Sequence, residues 1–389
     1  MNPPANARAK AAPPAAAPRA LPPWVYNNAE MTRLEFERIV KPSWQIACHV
    51  NSVPAAGDYL TLEIGPESIV VLRDRENRLV AFHNICRHRG TRLLDGQGQC
   101  PNLIVCPYHG WSYRYDGSLA GVSQRETFTE LNRAELALRP IAVDVALGFV
   151  FICLAETQPP PVRQTFGPLL AELAPYGIDD MVPLGPIYTE EWNADWKVVM
   201  DNYLESYHVP IGHPGLNRMF TPDYDDQFGS PGVARGTSWL REQPSTVWSE
   251  RSYQKLIGSV VTHLPEANRR CWRFYSMLPN LGLDVYPDQM DFFQVLPNGP
   301  GKTTIRGAMF GLPDARREMR VARYLSDRIN RQVNREDRML CERVQKGLAS
   351  SSYVPGPLSS IESWMLEFHD LLRARIPEVQ RATAPAVFA

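Results

Sequence analysis

From residue 57 the chain alternates between polar and apolar positions. Gly57-Asp58-Tyr59-Leu60-Thr61-Leu62-Glu63-Ile64 has the period of two that sends successive side chains to opposite faces of a strand. Ile69-Val70-Val71-Leu72 is a short continuous apolar run, the pattern of a strand buried on both faces. Asp116-Gly117, after Tyr113-Arg114-Tyr115, carries a hairpin signal. The pattern predicts β structure over residues 57–155. Pro159, Pro160 and Pro161 then interrupt every period and read as a linker. Beyond them a helical spacing covers residues 194–209, and aromatic-rich strands are predicted between residues 270 and 312. A long amphipathic helix is predicted over residues 314–348. No repeat of 20 to 50 residues is visible. The pattern predicts an α+β protein, a small β domain followed by a larger α+β domain.

Composition changes this picture in four places. The 41 Lys+Arg of the 389 residues nearly balance 42 Asp+Glu, which argues against a phosphate-backbone partner and hence against nucleic acid. Residues 1–23 hold nine Ala and seven Pro and read as a flexible arm, since no uninterrupted apolar core of a secretory signal survives the prolines. The longest apolar stretch elsewhere, residues 146–155, is half of the ~20 residues a membrane helix needs, so the expectation is a cytoplasmic protein with no membrane partner. The seven Cys are odd in number and sparse, unlike a disulfide framework.

Some of these thiols fall in a metal-site pattern. Cys86-Arg87-His88 and Cys106-Pro107-Tyr108-His109 stand 17 residues apart, each cluster offering one thiolate and one imidazole. Zinc fingers usually pair Cys with Cys and His with His, although a structural zinc, or buried cysteines beside unrelated histidines, stays open on the residues alone. One of each per cluster suits a two-iron centre in which one iron takes both thiolates and the other both imidazoles. Cys86-Arg87-His88-Arg89-Gly90 and Cys106-Pro107-Tyr108-His109-Gly110-Trp111 resemble the two ligand boxes of the Rieske [2Fe–2S] proteins. The resemblance implies Cys86, His88, Cys106 and His109 as cluster ligands.

A second dense patch runs from Asp201 through Glu205 and His208 to His213. On a helix Asp201, Glu205 and His208 share one face. His208 and His213, five apart, could share a metal only where the helix ends or distorts, and Pro210 and Gly212 supply that break. On the predicted C-terminal helix, Val333, Asp337, Leu340, Val344 and Leu348 form one stripe. A carboxylate inside an apolar stripe needs a partner, either an arginine or a metal.

This half resembles the catalytic domain of ring-hydroxylating Rieske non-heme iron oxygenase α subunits. The resemblance implies an N-terminal all-β Rieske domain (residues 24–156, with a helical lead-in) and a C-terminal helix-grip catalytic domain (residues 163–380). It implies a two-His-one-carboxylate iron site of His208, His213 and Asp337, with Glu336 as the competing carboxylate. Glu205 stands where most of the family has Asp, as in the branch of carnitine, choline and related betaine oxygenases. The implied role is a bridge from His208 to His109 of another subunit. Also implied are a mononuclear non-heme Fe(II), a head-to-tail homotrimer with an optional small β subunit, and O₂ as co-substrate. No dinucleotide fingerprint or ferredoxin-type Cys run is present, so electrons are expected from NAD(P)H through a separate reductase, with or without a ferredoxin.

The substrate is the open point. Trp239, Trp248, Trp272, Phe274, Tyr275, Phe292 and Phe293 fall in segments that line the pocket in this family. They suit a flat ring or an ammonium cage, and the expectation leans towards a ring compound. The alternative is a quaternary ammonium compound or the demethylation of an N- or O-methyl group. From another class, a Rieske electron carrier or redox sensor is the competing reading.

Overall fold

The computed structural model describes residues 18–222, 227–230 and 232–388; most of the predicted arm, residues 1–17, lies outside them. The alternation after residue 57 becomes two antiparallel strands, Asp58–Ile64 and Glu67–Arg73, and the latter is buried along most of its length as its apolar run predicts. They join a seven-stranded sheet in the order Gln45–His49, Phe149–Cys153, Pro140–Ala146, Leu79–His83, Glu67–Arg73, Asp58–Ile64, Gln97–Gln99. A separate three-stranded sheet, Ile104–Val105, Ser112–Tyr113 and Leu119–Gly121, turns at Gly117, whose φ of 82° is the left-handed conformation that glycine adopts without strain.

The second half is built on an eight-stranded antiparallel sheet. Its order is Val182–Pro183, Thr303–Gly311, Met290–Pro297, Leu281–Val285, Cys271–Met277, Val233–Trp239, Gln227–Ser230, with Tyr188–Trp192 also pairing Thr303–Gly311. The C-terminal helix runs Arg317–Leu348, close to its predicted bounds. Its buried stripe is Met319, Ala322, Leu325, Ile329, Cys341, Gln345 and Leu348, so Val344, predicted to face inward, is exposed.

The two halves share one core. Trp44 and, from the first sheet, Ile46, Phe149 and Phe151 pack with Tyr176, Phe292 and Phe310 of the second half. The buried Arg306 guanidinium donates to the carbonyls of Ile46 and Ala47, so the sheets are bridged by hydrogen bonds as well as by apolar contact.

The helical lead-in, grouped by the sequence with the first domain, touches both halves: Phe36 and Val40 pack with the first sheet, while Met31 and Leu34 pack on the second half. Its helix Ala29–Glu35 ends at a buried carboxylate that meets Lys197 at 2.5 Å and accepts from the Trp196 indole at 2.7 Å. Asp195 is the second partner of Lys197, at 2.6 Å. A buried lysine is tolerable only when paired in this way. Nor do the last residues of the predicted arm hang free: Leu21 is 1 % exposed, and Ala20 N–H donates to Gly356.

Candidate metal centres and substrate cavity

The two Cys-His boxes fold into the same loop. In each, the Cys N–H donates to the carbonyl five residues on (Thr91, Trp111), and the Gly N–H four residues on returns to the Cys carbonyl. Gly90 and Gly110 have φ of 74° and 68°, and little or nothing lies near the position of an added Cβ at either. Backbone conformation, rather than crowding, calls for glycine here. The loops bring sulfur to sulfur and ring to ring. The His88 and His109 centroids are 4.8 Å apart, and burial and the neighbouring Cys106 raise the Cys86 thiol above its ordinary pKa.

Tyr113 fixes one side of this group. Its hydroxyl lies 3.3 Å from Cys86 Sγ and accepts the Arg87 N–H at 2.9 Å. Trp111 stacks on His88 at 4.7 Å and 6°. His88 Nδ1 is buried with no hydrogen-bond partner. A buried orphan nitrogen is costly unless a metal takes its lone pair, so this donor set fits a cluster.

The second site forms where the predicted 194–209 helix fails to continue. Asp195 caps the helix Trp196–Tyr203 by accepting the Lys197 N–H, but the helix stops at Leu204, and Glu205 and His208 sit in the following turn. His208 precedes the one-turn helix Val209–Gly212, and His213 lies at its other end. The two Nε2 atoms are 3.1 Å apart, and Asp337 Oδ1 is 3.0 Å from that of His213 and 3.5 Å from that of His208.

Each imidazole is held from behind. Glu205 accepts at 2.6 Å from His208 Nδ1 and, through its other oxygen, at 2.9 Å from the His208 N–H. Glu336 lies 2.9 Å from His213 Nδ1, and Gln332 donates to its other oxygen. Glu336 therefore stands behind an imidazole, while Asp337 meets both Nε2 atoms. Burial alone would lower the His208 pKa, but Asp337 and Glu205 outweigh it and raise it to about 9. The same two histidines hold Asp337 below the usual carboxylate range against the upward push of its burial. Two nitrogens and an oxygen this close need a shared proton or a cation between them, so the set fits a divalent metal.

Beside the three lies a cavity of about 180 Å³. Alternate residues of the large sheet face it: Gly236 and Ser238, Trp272 and Phe274, Asp284 and Tyr286, Asp291 and Phe293. Of the seven aromatic residues expected in the pocket, Trp272, Phe274 and Phe293 are there. Tyr275 and Phe292 are in the core, and Trp239 and Trp248 are exposed. Tyr188, Tyr203, Asp284 and Asp291 line the cavity and were missed. For the two aspartates the signal is a carboxylate two residues before a ring, Asp284 before Tyr286 and Asp291 before Phe293.

Two family models match the chain: the Rieske [2Fe–2S] domain over residues 43–134 and the ring hydroxylating alpha subunit (catalytic domain) over residues 178–378. The chain belongs to the Rieske ring-hydroxylating oxygenases. Glycine betaine monooxygenase oxygenase subunit of Chromohalobacter salexigens is 32% identical, covering 90% of this chain and 84% of its own. Chloroplastic choline monooxygenase of Arabidopsis thaliana is 29% identical, covering 89% and 80%. A solved quaternary ammonium Rieske monooxygenase superposes with a TM-score of 0.78 at 25% identity, covering 92% of this chain and 96% of its own. This Rieske oxygenase is thus an enzyme, the terminal component that carries a Rieske cluster and a mononuclear non-heme iron and takes electrons from a reductase. A pure electron carrier is set aside, since the oxygenase catalytic domain is matched as well. No helix among the described residues is long and apolar enough to cross a membrane.

Proposed function

We propose that this oxygenase oxidises a C–H bond of a small alkylammonium compound. The carrying observation is the cavity: aromatic faces and carboxylates line it, and no lysine or arginine does among the described residues. Aromatic faces attract a cation through their quadrupoles, and carboxylates match its charge. A flat apolar ring would instead leave the carboxylates facing hydrocarbon, at a cost. Three relatives are named for glycine betaine, choline and carnitine, which supports the same reading against a ring compound.

Cys86, His88, Cys106 and His109 would hold the cluster, and His208, His213 and Asp337 would hold the mononuclear iron. When bound, the metals supply the electrons and the site of O₂ activation. The chain's own residues do the rest. Glu205 and Glu336 fix the Nδ1 atoms, so both Nε2 atoms point at one spot. The rings hold the substrate's ammonium group and exclude water. One oxygen atom enters the substrate C–H bond and the other leaves as water, using two electrons and two protons.

Electrons cross between subunits of a homotrimer, with Glu205 linking His208 to His109 of the partner subunit. Around His208 the apolar Tyr207 and Ile211 are 62% and 86% exposed, and Tyr108 beside the cluster loops is 56% exposed. Surfaces of this kind suit docking. The solved relative's report names inter-subunit electron transfer. With a surrogate reductase and NADH, mass spectrometry should find hydroxylated or demethylated product from choline or a betaine and none from benzoate. The opposite pattern would overturn the reading.

A further inference from the structure

The sheet wall of the cavity carries two carboxyl groups that neither metal site uses. Asp284 and Asp291 are direct partners across the strands Leu281–Val285 and Met290–Pro297. Their side chains therefore leave the same face of the sheet as nearest neighbours, and both border the cavity. Tyr203 donates to one Asp284 oxygen at 2.8 Å and Tyr286 to the other at 3.3 Å. Among the described residues, no basic side chain acts on either carboxyl. Burial pushes Asp284 up to about 7 and Asp291 well above the ordinary carboxylate range, and each raises or is raised by a neighbouring acid. Ionising both carboxyls side by side in an enclosed wall is unfavourable unless something positive lies against them.

A metal ion does not suit the place. Among the described residues only His208, His213 and Asp337 converge as a ligand set. What surrounds the pair is aromatic. The Tyr203 and Phe293 rings meet at 4.4 Å and 88°, and Trp272 and Tyr286 at 4.4 Å and 64°. Carboxylates behind rings suit a bulky, weakly hydrated organic cation.

We infer that Asp284 and Asp291 select an organic cation with no anionic group of its own, such as an amino alcohol or simple alkylammonium, over carboxylate-bearing betaines. This rests on the ammonium reading above and narrows it. A betaine must also place its carboxylate, and the cavity gives it no lysine or arginine. Among the described residues, the ionisable side chains other than tyrosine that line it are Glu190, Glu205, Asp284, Asp291 and Asp337, with His208 and His213 already committed to Asp337. Specificity of this kind comes from repulsion of the wrong ligand as much as from attraction of the right one.

The test is anaerobic calorimetric binding to the metal-loaded full chain. Three probes share one bulky head: choline, glycine betaine, and the neutral isostere 3,3-dimethylbutan-1-ol. Choline is expected to bind about tenfold or more tighter than either of the others. Asp291→Asn, which keeps the shape and removes the charge, should flatten that ranking, and Asp291→Glu should restore it. Glycine betaine binding as tightly as choline overturns this inference and leaves the ammonium reading standing. The neutral alcohol binding as tightly as choline, or choline failing to bind, overturns both. An unchanged ranking in Asp291→Asn, with its metals still loaded, removes the carboxylate pair from selection.

Discussion

The two proposed metal centres are built in opposite ways. The cluster site comes from two copies of one short loop, each with its own Cys, His and glycine and its own pair of backbone hydrogen bonds. The proposed mononuclear site takes His208 and His213 from the two ends of a one-turn helix and Asp337 from a helix more than a hundred residues later. A locally closed site depends on backbone conformation within a few residues. A site assembled from distant segments depends on packing, and so on everything that positions the long helix.

The largest effects separate the two centres. Asp337→Ala should lose the mononuclear iron and all turnover while keeping the Rieske electron paramagnetic resonance signal; iron content and the spectrum read this directly. Cys106→Ser should do the reverse, and a surviving Rieske signal would sink the assignment of that ligand. Next is the support behind an imidazole. Glu336→Gln should weaken mononuclear iron binding by about 10- to 100-fold with the cluster untouched, because the His213 ring loses its orienting carboxylate. Unaltered iron affinity would mean that packing alone aims the ring.

Smaller effects test how local the cluster site is. Gly110→Ala forces a Cβ into a left-handed conformation and should cost about 1–2 kcal/mol, read as a lower melting temperature and reduced cluster occupancy. The same change at Gly347, in the long helix with open space around it, should leave both metals bound and the melting temperature level or higher.

The smallest concerns the cavity wall. Asp284 holds its proton in the folded chain up to about pH 7, whereas an unfolded Asp releases it near ~4. Between those values the folded state binds more protons, so the contribution of Asp284 to stability falls as pH rises from ~4 to about 7 and stays lost above. Asp284→Asn should therefore stabilise the substrate-free protein at pH 8 by about 1 kcal/mol, with little gain at pH 4. A thermal scan at both pH values measures this; a loss of stability at pH 8 would mean that the tyrosine hydrogen bonds outweigh the charge.

The cluster boxes could be read directly, because ligands and glycines lie within six residues of each other and their spacing is the geometry. The pair His208 and His213 could be read as residues but misplaced in structure. Periodicity extended the helix through residue 209, whereas the chain leaves it at Leu204 so that the turn can bring Glu205 behind His208. The long helix was found near its true ends, yet Val344 was turned inward, because an apolar residue on a polar helix reads as core unless the neighbouring Cys341 and Gln345 are known to be covered. The lead-in helix shows the same limit. Glu35 looks like a surface charge in the sequence, and nothing local announces Lys197 as its partner.

Local spacing along the chain was enough to show the family's two Cys-His boxes, the histidine pair and the sheet periodicity. These rest on short-range spacing and on the alternation of strands. Only the tertiary structure decided that Asp337 meets both Nε2 atoms while Glu336 stands behind His213, since adjacent residues on a helix differ by a rotation of 100° and the fold alone says which side the histidines occupy. It also decided the character of the cavity. Asp284 and Asp291 become neighbours only through strand register, and register is fixed by the pairing of whole strands rather than by either residue.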